Sequence, residues 1–105
     1  MHTENLIFGE SLNPHDKCRS PGGSSGGDAG LIAARCTVLS LGSDIGGSLR
    51  YPAWFCGVYG FKPSKNRVSK LGCSEARKDR FNDFTHHSAD LGPMGSSVND
   101  LITTM

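Results

Sequence analysis

No two cysteines in this chain are spaced as CxxC: Cys18, Cys36, Cys56 and Cys73 stand far apart and almost evenly. That disfavours a zinc ribbon or a thioredoxin-type site. Reduced intracellular thiols are the simplest account, and Cys36 and Cys56, set among apolar neighbours, are expected to pack as small hydrophobes. An excess of one charge is also lacking, since 11 Lys+Arg against 10 Asp+Glu leave a net +1. So weak a field would gather neither nucleic acid nor anionic lipid. The one basic cluster, Lys62, Lys65, Arg67 and Lys70, is broken by Pro63 and followed by Gly72, and reads as a solvated loop. No apolar run approaches the ~20 residues of a membrane span. The segment Met1-His-Thr-Glu-Asn5 has neither the charged nor the apolar region of a signal peptide. His86-His87 lacks a carboxylate–histidine spacing, and adjacent histidines point apart on any regular element, so no metal site is expected.

Apolar residues are sparse at 36%, whereas glycine is plentiful at 14 of 105 residues. A chain of this length makes one domain at most. Each glycine costs backbone entropy on folding, so this many point to geometric requirements at a site or to dependence on further chain. Leu, Ile, Val and Phe are spread throughout, which makes the chain globular but underfilled.

Read along its length, the chain begins with an apolar strand or extended arm over Glu4–Leu12, closed by the turn Asn13-Pro-His-Asp16. Residues 19–27 read as loop. Asp28–Arg35 has the small and aliphatic composition of a buried helix, with a Ser/Gly/Asp start whose free N–H groups face that loop. A strand is expected over Thr37–Ser43, then a turn, then a helix over Leu49–Cys56 with Pro52 in its first turn and Gly57 at its end. Val58–Phe61 reads as a short strand. Residues 65–90 read as a polar surface connection, and Ser96–Met105 as a capped helix. Helix, strand, turn, helix, strand is an α/β order.

Two serines lie in glycine-rich turns, Pro21-Gly-Gly-Ser-Ser-Gly-Gly27 and Asp44-Ile-Gly-Gly-Ser-Leu-Arg50. Glycine admits positive φ and lets main-chain N–H groups approach a substrate oxygen. A serine in such a turn can attack a carbonyl while neighbouring amides hold the oxyanion, and two of them suggest a proton relay. Taken alone, the first turn could be a flexible linker, but it is bounded by Arg19-Ser-Pro21 and runs directly into an aliphatic helix. A phosphate loop is the other alternative, yet GxxxxGK[ST] and GxGxxG are both missing, and neither serine sits in GxSxG.

With Gly42-Ser-Asp-Ile-Gly-Gly-Ser-Leu-Arg50, Pro52-Ala53, Gly57, Gly60-Phe-Lys-Pro63, Gly92-Pro-Met94 and Ser97-Val-Asn-Asp-Leu101 added, the chain resembles the amidase signature family from about Thr3 to its end. Phe8-Gly9, Asn13-Pro14 and the Arg50–Pro63 stretch are most similar to the fatty acid amide hydrolase branch. The resemblance implies an α/β fold with a mixed sheet core flanked by helices, present here as a partial domain over 1–105, truncated at both ends. It implies amide hydrolysis by a Ser-Ser-Lys mechanism through an acyl-enzyme, without metal or cofactor.

In that scheme Ser48 matches the nucleophile and Ser24 the bridging serine, held by a cis peptide bond. The amides of Ile45, Gly46, Gly47 and Ser48 match the oxyanion hole. Asp44 and Arg50 are expected to fix the turn, against a plain solvated charge pair, and Ser25 to bond the loop. Trp54, Phe55 and Tyr59 are expected to pack in the core, with an acyl pocket as the alternative. Lys62 matches a structural lysine. The family's base lysine lies upstream of Met1; Lys17 is the first lysine here and is not promoted to that role. The expected partner is a small amide, a lipid amide included, with no nucleic acid. A homodimer and membrane attachment through further chain stay open, as does the choice between a cytoplasmic and a membrane-associated location inside the cell. Two alternatives stand beside the hydrolase: an inactive fragment or interaction module lacking the base, and the amidase subunit of a tRNA-dependent amidotransferase.

Overall fold

A computed structural model describes residues 2–71, 73 and 89–105; the His86-His87 pair and most of the 65–90 connection lie outside the described residues. The arm closes on itself as a two-residue ladder between β1 (Glu4–Asn5) and β2 (Gly9–Glu10). Asn5 Oδ1 accepts from the amides of Ile7 and Phe8 at 3.0 and 2.8 Å, which makes the tip.

Helix α1 spans Gly26–Ala33 and begins two residues before its expected start. The strand after it, β3, covers Leu39–Asp44. Helix α2, Arg50–Cys56, has Pro52 in its first turn and is ended by Gly57 in the left-handed region at φ 67°. This end suits glycine, which bears no Cβ to clash there. After it come β4 (Tyr59–Gly60), β5 (Asp90–Gly95) and α3 (Val98–Thr104). The start of α3 is a capping box: Ser97 Oγ accepts from Asp100 N while Asp100 Oδ2 accepts from Ser97 N.

The main sheet has the order β3-β5-β4, and both of its ladders are antiparallel. Strand β5 therefore lies between two strands that neighbour one another in the reading from sequence. A segment Asp-Leu-Gly-Pro-Met-Gly has little intrinsic β preference. Packing overrides it: all of β5 except Leu91 is buried, and a Cβ on Gly92 would run into the carbonyl oxygen of Phe61. The core gathers Ala29 and Ile32 of α1, Leu49 beside α2, Ala53 and Cys56 of α2, and Met94 of β5.

Two expectations about packing are corrected. Cys56 is buried, but Cys36 is exposed, because Arg35 at φ 59° turns the chain outward as soon as α1 ends. Trp54, Phe55 and Tyr59 are 77%, 43% and 50% exposed, since α2 turns Pro52, Ala53 and Cys56 inward and leaves its aromatic residues outside.

Candidate active site

The two serine turns are built onto the ends of regular elements and tied to each other. Ser24 and Ser25 stand at the entrance to α1, and the peptide bond between Gly23 and Ser24 is cis. Ser48 lies between the end of β3 and the start of α2. The amide of Ser25 donates to the carbonyl of Ser48 at 3.0 Å, a direct backbone bond from one turn to the other. Ser48 Oγ donates to the carbonyl of Ser43 at 2.7 Å. Ser24 is exposed, and its Oγ has no partner among the described residues.

Asp44 organises the second turn. It is fully buried, and its carboxylate collects five donors. Oδ1 accepts from Gly47 N at 2.7 Å and Arg50 Nη2 at 3.0 Å, while Oδ2 accepts from Leu49 N at 3.3 Å, Arg50 N at 3.2 Å and Arg50 Nε at 2.9 Å. Burial by itself pushes the carboxyl upward, but the Arg50 guanidinium and the Gly47, Arg50 and Leu49 amides outweigh it and bring the pKa down to about 2. Gly47 has φ 113°, and the ring of Tyr51 occupies the place where a Cβ would stand, so no larger residue fits this bend. The amides of Ile45, Gly46 and Ser48 find no acceptor among the described residues, whereas the Gly47 amide is spent on Asp44.

A second buried carboxylate sits opposite Asp44. Asp90 is its direct cross-strand partner in the antiparallel register, so the two lie on one face of the sheet. Each has its own cation: Asp90 Oδ2 accepts from Lys62 Nζ at 2.6 Å, and Lys70 Nζ stands 4.0 Å from Oδ1. The Lys62 hydrogen bond holds the Asp90 carboxyl below the usual carboxylate range, against the opposing effect of burial.

Thr3, a residue with no part in the motifs, clamps the first turn from outside. Its Oγ1 accepts from Gly26 N at 3.2 Å and lies 2.9 Å from the carbonyl of Gly22 and 3.3 Å from that of Ser24. One hydroxyl hydrogen serves these two carbonyls, and the nearer takes most of it. Thr3 thus caps α1, a task for which Ser25, the residue at the cap position, uses no side-chain bond. Ser25 is buried, and its side chain packs against Gly42 of β3. Replacing Thr3 with Val keeps the shape and strands one amide and one carbonyl. We expect a loss of about 1–2 kcal/mol in urea unfolding, with Thr3→Ser retaining most of the wild-type stability.

Trp54 and Phe55, with ring centroids 5.3 Å apart, join Asn13, Arg19 and Ser20 in lining a cavity of about 440 Å³ toward the far end of α2 from Ser48. Among the described residues no group of His, Cys, Asp and Glu is placed to hold a metal, and no helix is long and apolar enough to cross a membrane.

A family profile described as Amidase matches residues 1–105. The amidase-type component of glutamyl-tRNA(Gln) amidotransferase from Archaeoglobus fulgidus is 48% identical over 99 residues, covering 94% of this chain and 20% of that protein. Among solved structures, 6-aminohexanoate cyclic dimer hydrolase superposes with a TM-score of 0.84 at 34% identity, over 97% of this chain and 20% of the other. Fatty acid amide hydrolase superposes with a TM-score of 0.75 at 30% identity, over 96% and 17%. This chain spans about a fifth of the length of the curated relatives it matches.

Proposed function

Since this chain belongs to the amidase signature family, we propose that it carries the serine pair of an enzyme that hydrolyses the C–N bond of a carboxylic amide. The observation that supports this most is the Ser48 turn. Asp44 fixes it, the amides of Ile45, Gly46 and Ser48 remain unspent beside the hydroxyl, and the Ser24 loop is bonded to it through Ser25 N and Ser48 O.

Ser48 Oγ turns from the Ser43 carbonyl, gives its proton to Ser24 Oγ, and bonds to the amide carbon. The carbonyl electrons move onto oxygen, which the three free amides hold. Losing one such donor typically costs about 10²–10³ in rate. As the C–N bond breaks, Ser24 returns a proton to the leaving nitrogen, and water then cleaves the acyl-Ser48 ester and restores the hydroxyl. The proton acceptor behind Ser24 is a neutral lysine from upstream chain, as the family resemblance implies. Lys62 does not take that place, because its Nζ is engaged with Asp90.

On the substrate, the fatty acid amide hydrolase branch has the weaker support, with 30% identity against 48% for the amidotransferase component. A second reading therefore stands: the amidase subunit of a tRNA-dependent amidotransferase, which releases ammonia to a partner. In it tRNA is met by the assembly and not by this chain's own charge of +1. Ammonia release from glutamine, set against hydrolysis of a fatty acyl amide by the full-length protein, separates the two.

A serine-directed fluorophosphonate tests the shared core of both readings on the full-length protein. Ser48→Ala is expected to abolish labelling and Ser24→Ala to slow it about 10²-fold or more. Equal labelling of wild type and both variants would leave an inactive interaction module as the better account.

A further inference from the structure

The spacing of the two serine turns depends on more than their own residues. Asn13 is 5% exposed, and its side-chain amide spends both of its hydrogens on carbonyls from different parts of the chain. Nδ2 donates to Phe55 O at 2.9 Å, in the last turn of α2, and to Ser20 O at 3.4 Å, one residue ahead of the Pro21–Ser24 loop. Its Oδ1 accepts from His15 N at 3.0 Å, so the amide group is used on both sides. His15 Nε2 adds a second tie to the same helix end, donating to Cys56 O at 2.8 Å. The backbone of Asn13 closes the small loop beneath, donating to Arg19 O and accepting from Asp16 N.

Helix α2 is a short rigid rod with the Ser48 turn at one end and the Phe55 and Cys56 carbonyls at the other. The Ser24 loop follows directly from Ser20, and Gly22 lies so close to Pro52 and Phe55 that a Cβ there would stand only 3.2–3.3 Å from them. Two carbonyl oxygens converging on one buried point repel each other unless donors stand between them. A planar NH₂ group with its own acceptor behind it meets that demand, whereas a carboxylate would add a third acceptor.

We propose that Asn13 is a positioning residue that sets the separation of the Ser24 and Ser48 turns by holding the start of one and the helix of the other to a single amide. The proposal goes beyond the amidase reading, although its catalytic consequence rests on that reading.

The test is site-resolved amide hydrogen exchange on this chain, comparing wild type with Asn13→Asp. The amide of Ser25, which bonds to Ser48 O, is expected to exchange about tenfold faster or more, while the amides of Leu101 and Ile102 in α3 stay within about twofold of wild type. Should Asn13→Asp fail to fold, Asn13→Gln keeps the donors but displaces them by one methylene, and the same selective opening at Ser25 is expected. An unchanged Ser25 rate, or equal acceleration at Ser25, Leu101 and Ile102, overturns the proposal, the latter because it marks general destabilisation. In the full-length protein, the fluorophosphonate rate at saturating probe should fall about tenfold with the half-saturating concentration within about twofold. If wild type takes no label, the amidase reading fails, and the exchange result still decides the role of Asn13.

Discussion

An Asp44→Asn protein is expected to lose about 3 kcal/mol of stability at neutral pH and to show no fluorophosphonate reactivity in the full-length enzyme. The carboxylate is fully buried and accepts five hydrogen bonds, three from the backbone of its own turn and two from Arg50. Asparagine keeps one acceptor and places an NH₂ group where the other oxygen met donors, so amides of the bend are left facing a donor inside the protein. That loss exceeds a surface ion pair's worth, which is near 0–1 kcal/mol, because the acceptor is buried and the backbone has no water to turn to.

Acid titration of the wild type isolates the charge. The carboxyl has its pKa lowered from 3.8 to about 2, so the folded state holds its proton less tightly than the unfolded chain. The stability this contributes, about 2 kcal/mol, is fully present above the unfolded value and is lost as pH falls from about 4 towards 2. Urea midpoints measured across that range should show a steeper acid decline in the wild type than in Asp44→Asn. Equal slopes in the two proteins would show that the charge of Asp44 does not stabilise the fold.

How much of this could be read from the chain alone depended on whether the cause was local. The Gly46-Gly47-Ser48 bend announces itself because positive φ demands glycine, and Asp44 and Arg50 lie close enough in sequence to be read as part of it. The ends of α2 were legible for the same reason, through Pro52 and Gly57. Strand β5 was not: Gly92 and Pro93 read as a turn, and only the approach of Phe61 from another strand makes a strand of them. Likewise α1 starts at Gly26 and not at Asp28 because Thr3, 23 residues away, supplies an acceptor for its first amide. Asn13 reaches Phe55 across 42 residues, and no periodicity or spacing in a single sequence encodes such a contact.

The same dependence on distant neighbours predicts opposite outcomes for two glycine substitutions. Gly27, within α1, has nothing within 4 Å of the position a Cβ would occupy, and its helical backbone suits alanine. Gly27→Ala should stabilise the protein by about 0.5–1 kcal/mol, since alanine loses less backbone entropy on folding. Gly92→Ala should cost about 3 kcal/mol or more, because the methyl would be driven into the carbonyl of Phe61 and would stand 2.8 Å from Pro63 Cδ. Phe61 N donates to Pro93 O at 3.0 Å, so forcing the strands apart also breaks the bond that carries the ladder beyond Gly60. The damage reaches the site through β5, whose other edge pairs Gly92 with Gly42 and Asp90 with Asp44. Urea midpoints for the two variants should therefore move in opposite directions, and Gly92→Ala should also shift the Asp44 acid limb. A midpoint for Gly92→Ala within about 0.5 kcal/mol of wild type would mean that β5 does not hold β4 at this distance.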